Sequence, residues 1–561
     1  MGLRSSSLVA RLLLMGSLTV ALKKPSAKCD VAIIGGGIGG LSAAAILSAR
    51  YGKIVQVHES HYRPGGCAHS FPIKSKQGTT YQFDAGPTIL LGCSAPPYNP
   101  LQQVLNRLGA ADKIDWVTYH SWGMVDETGE WSFDLGANVF ENTALRKFGG
   151  PKAAEEFKAL RKACEPLCAG AASIPTMALR ADSFKLLPLL GYLDALQKVI
   201  PYSDVLDGSF KDLMNEHVTD SWLRDWLDAL AFSLSGLPAS QTGAAALAYT
   251  IFDLHREGAA LDYPKGGMGV IADVLVNIIE SNGGEVYLSS PVESIGLENG
   301  RVAGLELKSG QKIRAKQVIA NNNIWSLGSF FDLNDNQLSK EAVEFIARGK
   351  TRAVTKSFLH LHLGMNSEGM DLSNKQPHYT VMAKGLSSGH DPCGDRNMVA
   401  VSNPGVLDSS LTDKDNRIIV HAYGAGNEPF DDEWKKFGIF GDTYSKSNEY
   451  KDAKVEAADY LYESVSRALG ISIEEVKERS EVEMIGTPLT HQRYLMRHKG
   501  TYGPTFSDTL SGPMTPIKGL YLAGDSVFPG IGVPAVAVSG ANCANSMVNV
   551  IKHIMDMNKV D

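Results

Sequence analysis

The chain has 561 residues, 44% of them hydrophobic and 20% charged, with a net charge of −7. That length exceeds what one simple core encloses, so two or more domains are expected, and the negative balance, with no lysine and arginine run interleaved with aromatics, argues against a nucleic-acid partner. Seven cysteines without a Cys-x-x-Cys or a neighbouring histidine cluster argue against a zinc site and a disulfide framework, and suit a reducing compartment.

Residues 1–28 read as a targeting leader. Arg4 and Arg11 precede the apolar run Leu12–Leu22, Lys23 and Lys24 follow it, and no acid occurs before Asp30. The run is too short to span a bilayer and has the dimensions of a signal-peptide core. Its serines and arginines without acids also suit an organelle transit segment, so a signal followed by a plastid-targeting portion is expected.

Asp30 to Ala45 is the organising stretch. Val31–Ile34 is a short apolar run bounded by glycine, as a buried parallel strand is, and the residues from Leu41 onward are small and helix-compatible. Gly35, Gly37 and Gly40 therefore lie where strand turns into helix. Gly35 permits the tight turn, Gly37 lets the backbone approach a pyrophosphate, and Gly40 lets the helix pack on the strand. Phosphates placed there face free N–H groups and the positive end of the helix dipole. A second strand, Ile54–His58, ends in Glu59, 19 residues past Gly40. A carboxylate at that distance accepts both ribose hydroxyls of an adenosine and repels the extra phosphate of NADP. This much leaves NAD and FAD open. The next turn, Arg63-Pro64-Gly65-Gly66, has no use in a nicotinamide dehydrogenase and points to FAD, although in isolation it is an ordinary surface turn.

Tyr81–Pro87 reads as a strand entering a glycine-proline turn. Helices are expected at Lys152–Lys162, Phe210–Val218 and Trp222–Phe232, in the first part of a second domain. Phe184–Ile200 is the most apolar window outside the leader and carries two lysines and one aspartate. It reads either as a membrane-surface segment or tunnel mouth, or as a plain core helix. A second nucleotide-domain block opens at Asp262–Gly269, followed by a helix over Val270–Ser281 and strands across Gly284–Ile295 broken at Pro291. Asn299-Gly300 signals a hairpin, with Val302–Leu307 and Lys312–Ala320 as the returning strands. Phe358–Leu363 alternates as a half-buried strand does, putting His360 and His362 on one face. Without a third ligand nearby, that face reads as solvated rather than metal-binding.

Near the carboxyl end, Gly519–Ser526 is an apolar strand ending in Gly524-Asp525, and Phe528–Gly540 turns through Gly532-Val533-Pro534 into a small-residue helix. A carboxylate at a strand end, followed by a glycine turn and a helix N-terminus, suits the ribityl hydroxyls and the electron-rich edge of an isoalloxazine ring. Asp525 orients the ring, and the N–H groups near Val533 stabilise negative charge on it.

Three blocks carry a family resemblance: the opening glycine block through Gly66, Tyr263-Pro264-Lys265-Gly266-Gly267 through Asn321, and Gly486-Thr487-Pro488 through Ser539-Gly540. Through them the chain resembles the phytoene-desaturase superfamily of FAD enzymes from about Cys29 to Val548. Thr490-His491-x-Arg493-Tyr494-Leu495 and Lys499-Gly500-Thr501-Tyr502-Gly503-Pro504 are similar to the plant and algal carotenoid isomerases, whereas Gly532-Val533-Pro534-Ala535 is nearer the desaturase spelling.

The resemblance implies an α/β fold: an FAD-binding Rossmann-like domain of the amine-oxidase and phytoene-desaturase type from residues 29–105, 262–330 and 481–555, with a discontinuous α+β substrate domain from 106–261 and 331–480. It implies FAD held by Gly35, Gly37, Ile38, Gly39, Gly40, Glu59, Arg63, Gly65, Gly66, Val292, Gly524, Asp525, Gly532, Val533 and Pro534, with Asp84 binding cofactor or serving structure. It further implies a carotenoid substrate, peripheral contact with a membrane, a plastid location and, in the isomerase branch, a flavin working in its reduced state without net redox change. His491 and Arg493 are the candidate proton donors; the same pair could instead cap the sheet or hold the pyrophosphate loop.

Three functions compete on this reading: an FAD-dependent carotenoid cis-trans isomerase, a same-fold enzyme that desaturates, saturates or hydrates a polyene, and a non-catalytic carotenoid-binding protein. The first two require the amino-terminal glycine turn and the carboxyl-terminal acid-ended strand to meet.

Overall fold

The computed structural model describes residues 24–86, 89–206, 208–425, 434–437 and 447–559. Most of the expected leader, and Pro87 of the glycine-proline turn, lie outside the described residues. The leader's last residues pair with the fold: Arg314 N donates to Ala27 O at 2.9 Å and Cys29 N to Arg314 O at 3.0 Å.

A parallel sheet gathers five strands from across the chain: β1 (Val31–Ile34), β2 (Val55–His58), β3 (Glu285–Tyr287), β4 (Gln317–Ala320) and β5 (Leu520–Leu522), in the spatial order β3-β2-β1-β4-β5. Helices α1 (Ile38–Ala49), α2 (Gly269–Ser281) and α3 (Val533–Ser546) belong to the layer on one face, and α4 (Val550–Met557) follows α3. β1 is buried on both sides, as a parallel strand between two layers must be. Val31 and Ile33 share a core with Leu41, Ile271 and Ala541, while Ala32 and Ile34 join Ile295, Leu305 and Trp325 in the layer behind.

That rear layer contains an antiparallel sheet of Val292–Glu298, Arg301–Leu307 and Lys312–Arg314. Asn299 at φ 53° and Gly300 at φ 70° make the expected hairpin turn. The returning strand expected over Lys312–Ala320 is in fact two strands. Lys312–Arg314 closes the rear sheet, and after two residues Gln317–Ala320 enters the parallel sheet beside β1. The apolar pattern runs through both, so nothing in it marks the change of sheet.

A second, seven-stranded sheet has the order Ser480–Gly486, Phe358–Asn366, Arg417–Ala425, Met398–Ser402, His378–Met382, Ser121–Asp126, Gly129–Asp134. Leu359, Leu361, Leu363 and Met365 of its second strand pack with the helix Asn448–Leu469. The opposite face meets the hairpin Ser70–Lys74/Thr80–Asp84, where a Cβ on Gly364 would lie 2.7 Å from the Tyr81 ring. Phe358–Asn366 is thus covered on both sides, and its alternation does not divide solvent from core.

The expected helices occur as Gly150–Ala172, Lys211–His217 and Ser221–Ser235, the last capped by Asp220 accepting from Leu223 N. The apolar window at 184–200 is not a core helix. It forms a short turn at Pro188–Tyr192 and a helix at Leu193–Val199 on the surface, with Phe184, Leu186, Leu190 and Leu193 exposed. Among the described residues no helix is long and apolar enough to cross a membrane.

Candidate functional site

The glycine turn after β1 leaves a cradle lined by backbone. Gly35, at φ +92°, donates its N–H to His58 O at 2.9 Å, and a Cβ there would lie 2.8 Å from Asn321 O. A Cβ on Gly40 would come within 2.5 Å of Gly35 O, so helix and strand meet at the distance only glycine allows. The first intrahelical bond of α1 runs from Leu41 N to Gly37 O at 2.9 Å, and its first turn has neither a side-chain cap nor an acid. The N–H groups of Ile38, Gly39 and Gly40 are consequently without intrahelical acceptors, which suits an anion.

Glu59 stands over this turn. Its Oε2 accepts from Gly36 N at 2.6 Å and its Oε1 from His61 N at 2.7 Å, so the carboxylate is fixed at the end of β2. The chain returns to it from β3, with Ser290 N donating to Glu59 O at 2.8 Å two residues before Val292. The second turn lies on the first: Gly65 N donates to Gly36 O at 2.7 Å, and a Cβ on Gly66 would sit 3.2 Å from Gly37 Cα. Arg63 precedes them and faces Asp273 electrostatically. Asp84, by contrast, is structural: it is buried and accepts from Ser70 Oγ, Tyr263 Oη and Met268 N.

The two ends of the chain meet here. A Cβ on Gly39 would lie 2.9 Å from Gly524 N, and one on Gly540 would lie 2.3 Å from Gly39 O, so α1 and α3 cross at glycines. Asn321, at the end of β4, joins them: Asn321 N donates to Ile34 O at 2.9 Å and its Nδ2 to Gly35 O at 3.2 Å. Gly532, at φ +111°, starts α3, with Val533 and Pro534 as the first helical residues and no side-chain cap. The absent N–H of Pro534 takes nothing from the helix at that position. Beside it Asp525 is ion-paired through Oδ2 with Arg497, whose Nη2 donates to Tyr502 O and whose Nε donates to Thr501 O at 3.1 Å. Burial works against the Arg497 charge, but Asp525 outweighs it and pushes the guanidinium pKa up. A glycine cradle with N–H groups lacking intrahelical acceptors, a carboxylate fixed at the end of β2 and an acid beside a second helix start fit a flavin cofactor lying between the two chain ends.

The expected solvated pair, His360 and His362, is buried instead. His360 Nδ1 lies 3.0 Å from His491 Nε2, and the His360, His362 and His421 rings follow one another at 4.6 and 4.9 Å. The close pairing of strands puts them in one row, and glycine makes room for it: a Cβ on Gly486 would lie 1.9 Å from the His360 ring. The row continues through Ser402 to His378, whose Nδ1 is 2.9 Å from Ser402 Oγ. Burial, and then the neighbouring imidazoles or Arg497, hold these histidines neutral, pushing His491 down to about 4 and His421 and His378 to about 3, with His360 and His362 well below the ordinary value. Among the described residues no group of three or more His, Cys, Asp or Glu side chains is arranged to hold a metal.

His491 lies within the field of Arg497, the partner of Asp525. The Phe358 ring is 6.1 Å from His491 and 4.8 Å from Tyr502, whose carbonyl accepts from Arg497. Arg493 does not join it. It is exposed on the helix Pro488–Leu495, with its guanidinium over Tyr494 at 5.2 Å. Sequence reasoning missed Asn321, Arg497 and the histidine row. Asn321 had a signal in following directly after a strand of the second matching block, while Arg497 lies between the two isomerase-like strings and reads as one of several exposed cations.

Comparison with known proteins gives the same outline. Residues 38–365 match the family model described as flavin-containing amine oxidoreductase. The chain is 30% identical to the chloroplastic prolycopene isomerase of Daucus carota over 94% of its own length and 81% of that protein's. It is 25% identical to the all-trans-retinol 13,14-reductase of Danio rerio, covering 94% of this chain and 87% of that one. The solved structure of an oxidoreductase from Methanosarcina mazei superposes with a TM-score of 0.60 at 18% identity, over 91% of this chain and 98% of that one.

Proposed function

Because the chain belongs to the flavin-containing amine oxidoreductase family, we propose that it is an FAD-dependent carotenoid isomerase, converting cis double bonds of a long apolar polyene of the prolycopene class to trans in a plastid. The observation that carries this reading is the 30% identity with carrot prolycopene isomerase over 94% of the chain. When bound, FAD supplies a redox-active ring, reduced in the working state, against which the polyene is brought. Glu59 takes the ribose hydroxyls, and the free N–H groups at Ile38, Gly39 and Gly40 take the pyrophosphate, with Arg63, Gly65 and Gly66 closing over it. Val292 lies toward the adenine, Gly524 and Asp525 toward the ribityl chain, and Gly532, Val533 and Pro534 present the start of α3 to the edge of the ring.

His491 is the residue for the proton. Neutral at rest because of burial, it delivers a proton only as the imidazolium, after taking one up from solvent, and takes the same proton back when the double bond re-forms, while His360 at 3.0 Å fixes which nitrogen is occupied at rest. Isomerisation needs a double bond's order lowered for a time, by transient addition of charge, hydride or a proton; on the proton route, one is placed on a polyene carbon and taken back. The π pair forms the C–H bond, the remaining double bonds spread the positive charge, rotation occurs about the bond now single, and loss of the proton restores the double bond. Nothing is oxidised or reduced overall. Arg493, exposed with its guanidinium over Tyr494, is not given the proton in this reading.

A second reading, in which hydrogens or water are added to or removed from the same polyene, is favoured by Pro534 at the start of α3 and by the 25% identity with the retinol reductase. Poly-cis lycopene given to the purified protein under anaerobic, reducing conditions separates the two. The isomerase reading expects an all-trans product of unchanged mass. A product changed by two hydrogens or by one water replaces it with the second reading, and a preparation without a flavin absorption band or releasable FAD removes both.

A further inference from the structure

The histidine row holds more polar atoms than its packing uses. Among the described residues nothing hydrogen-bonds His362 Nδ1, either ring nitrogen of His421, His378 Nε2 or Tyr119 Oη, although all are buried. Buried polar atoms of a folded chain are normally paired, so a set of orphans on one sheet calls for a reason. They lie in line. His362 is opposite His421, His421 opposite Ser402 and Ser402 opposite His378 on four neighbouring strands, so these side chains share one face of the sheet. The Phe83 ring covers His362 and His421 at 5.7 and 5.9 Å and keeps that face dry.

Spacing decides what the line can do. His360 and His491 have ring centres 4.7 Å apart and nitrogens 3.0 Å apart. The centres of His360 and His362 are 4.6 Å apart and those of His362 and His421 are 4.9 Å apart, so rotation of the rings puts these pairs within the same reach. Beyond His421 the line continues through hydroxyls. Ser402 Oγ is 2.9 Å from His378 Nδ1, and the His378 ring lies 5.4 Å from that of Tyr119, whose next residue, His120, is exposed. A neutral imidazole takes a proton at one nitrogen and gives one from the other, and a hydroxyl accepts on a lone pair and donates its own hydrogen. His421, with neither nitrogen engaged, serves in both directions.

We infer that this line is a proton path from the surface at Tyr119 to His491, through His378, Ser402, His421, His362 and His360. One proton enters from water, each member accepts one and releases one to the next, and His491 becomes the imidazolium; the rings then turn back, and a proton leaving His491 retraces the steps. Nothing is oxidised or reduced. Protons so delivered reach His491 without water beside an apolar substrate. That His491 passes its proton to a polyene rests on the reading above; the path itself does not.

Ser402→Ala and Tyr119→Phe each remove one oxygen and leave every imidazole in place. Holoenzyme carrying isotopically labelled histidine nitrogens is transferred to deuterated water, and the ring N–H signals of His360 and His421 are followed by NMR. They decay in the wild type and decay roughly tenfold more slowly in either variant. Turnover of poly-cis lycopene falls roughly tenfold in kcat, with KM, FAD content and thermal midpoint unchanged, and its solvent isotope effect rises because proton uptake has become the slow step. Loss of packing alone lowers the midpoint and leaves the isotope effect where it was. Unchanged exchange in both variants overturns the path. Slower exchange in both, with full turnover in them and in His491→Gln, removes the proton reading of His491 and leaves the path; turnover lost in His491→Gln, with exchange unchanged in the other two, does the reverse.

Discussion

The cradle at the ends of β1, β4 and β5 and the histidine row on the seven-stranded sheet are built by opposite means. In the cradle most of the working groups are backbone, with the Glu59 and Asn321 side chains held against it: glycines at 35, 39, 40 and 540 let main chain meet main chain. In the row the working groups are side chains, drawn together by cross-strand pairing and kept neutral because they are out of water. One site has no room for an added atom, and in the other an added proton comes at the expense of stability.

That contrast is tested most severely by acid. A histidine of the unfolded chain titrates near 6.5, whereas folded His491 is held at about 4 and His378 and His421 at about 3, so below pH 6.5 the unfolded chain binds more protons. Stability is fully present above that value and falls on the way to the folded values, by about 4 kcal/mol per pH unit for the three together. Thermal midpoints measured from pH 7 to 5 should drop steeply, and His421→Phe should flatten the acid limb; a flat profile in the wild type would show the row to be solvated. Next in size, Arg497→Met strands the Asp525 carboxylate and should cost about 3 kcal/mol, with lowered FAD content. Chemical denaturation with a flavin-release assay checks it.

Gly540→Ala, whose Cβ would meet Gly39 O at 2.3 Å, should cost about 2 kcal/mol and weaken FAD binding while leaving the acid limb intact. Gly486→Ala should do the converse, displacing His360 from His491 for about 1 kcal/mol without loss of FAD, read from the pH profile of product formation beside the flavin content. The smallest effect is expected of Glu59→Gln, which keeps the shape but loses the charge-assisted bonds, at about 1 kcal/mol in FAD affinity by titration. Unaltered affinity there would take the ribose away from Glu59.

The same division decides what the amino-acid sequence disclosed. Turn glycines, the apolar run of β1 and the acid after β2 obey local rules, so Gly35, Gly37, Gly40 and Glu59 were legible within a few dozen residues of each other. The meeting of Gly39 with Gly540 was legible only as a requirement of the cofactor. His360 and His362 were misread because alternation reports polarity and not coverage: the helix Asn448–Leu469 behind the strand and the hairpin at 70–84 in front lie far away in the chain. Arg497 was hidden among Arg493, His498 and Lys499, since a cation's partner cannot be read from its neighbours. Phe184–Ile200 stayed open between a surface segment and a core helix, because apolar content alone does not say which side of it is covered; only Pro188 and Ala195 turn inward while Phe184, Leu186, Leu190 and Leu193 are exposed.

The crossing of α1 with α3 also sets an order of events during synthesis. Gly39 leaves the ribosome early, but its partners Gly524 and Gly540 are translated some 485 and 501 residues later, and β5 cannot close the parallel sheet before then. A nascent chain halted short of residue 520 therefore owns half a grip, and the crossing of α1 with α3 forms only once both distant ends have emerged.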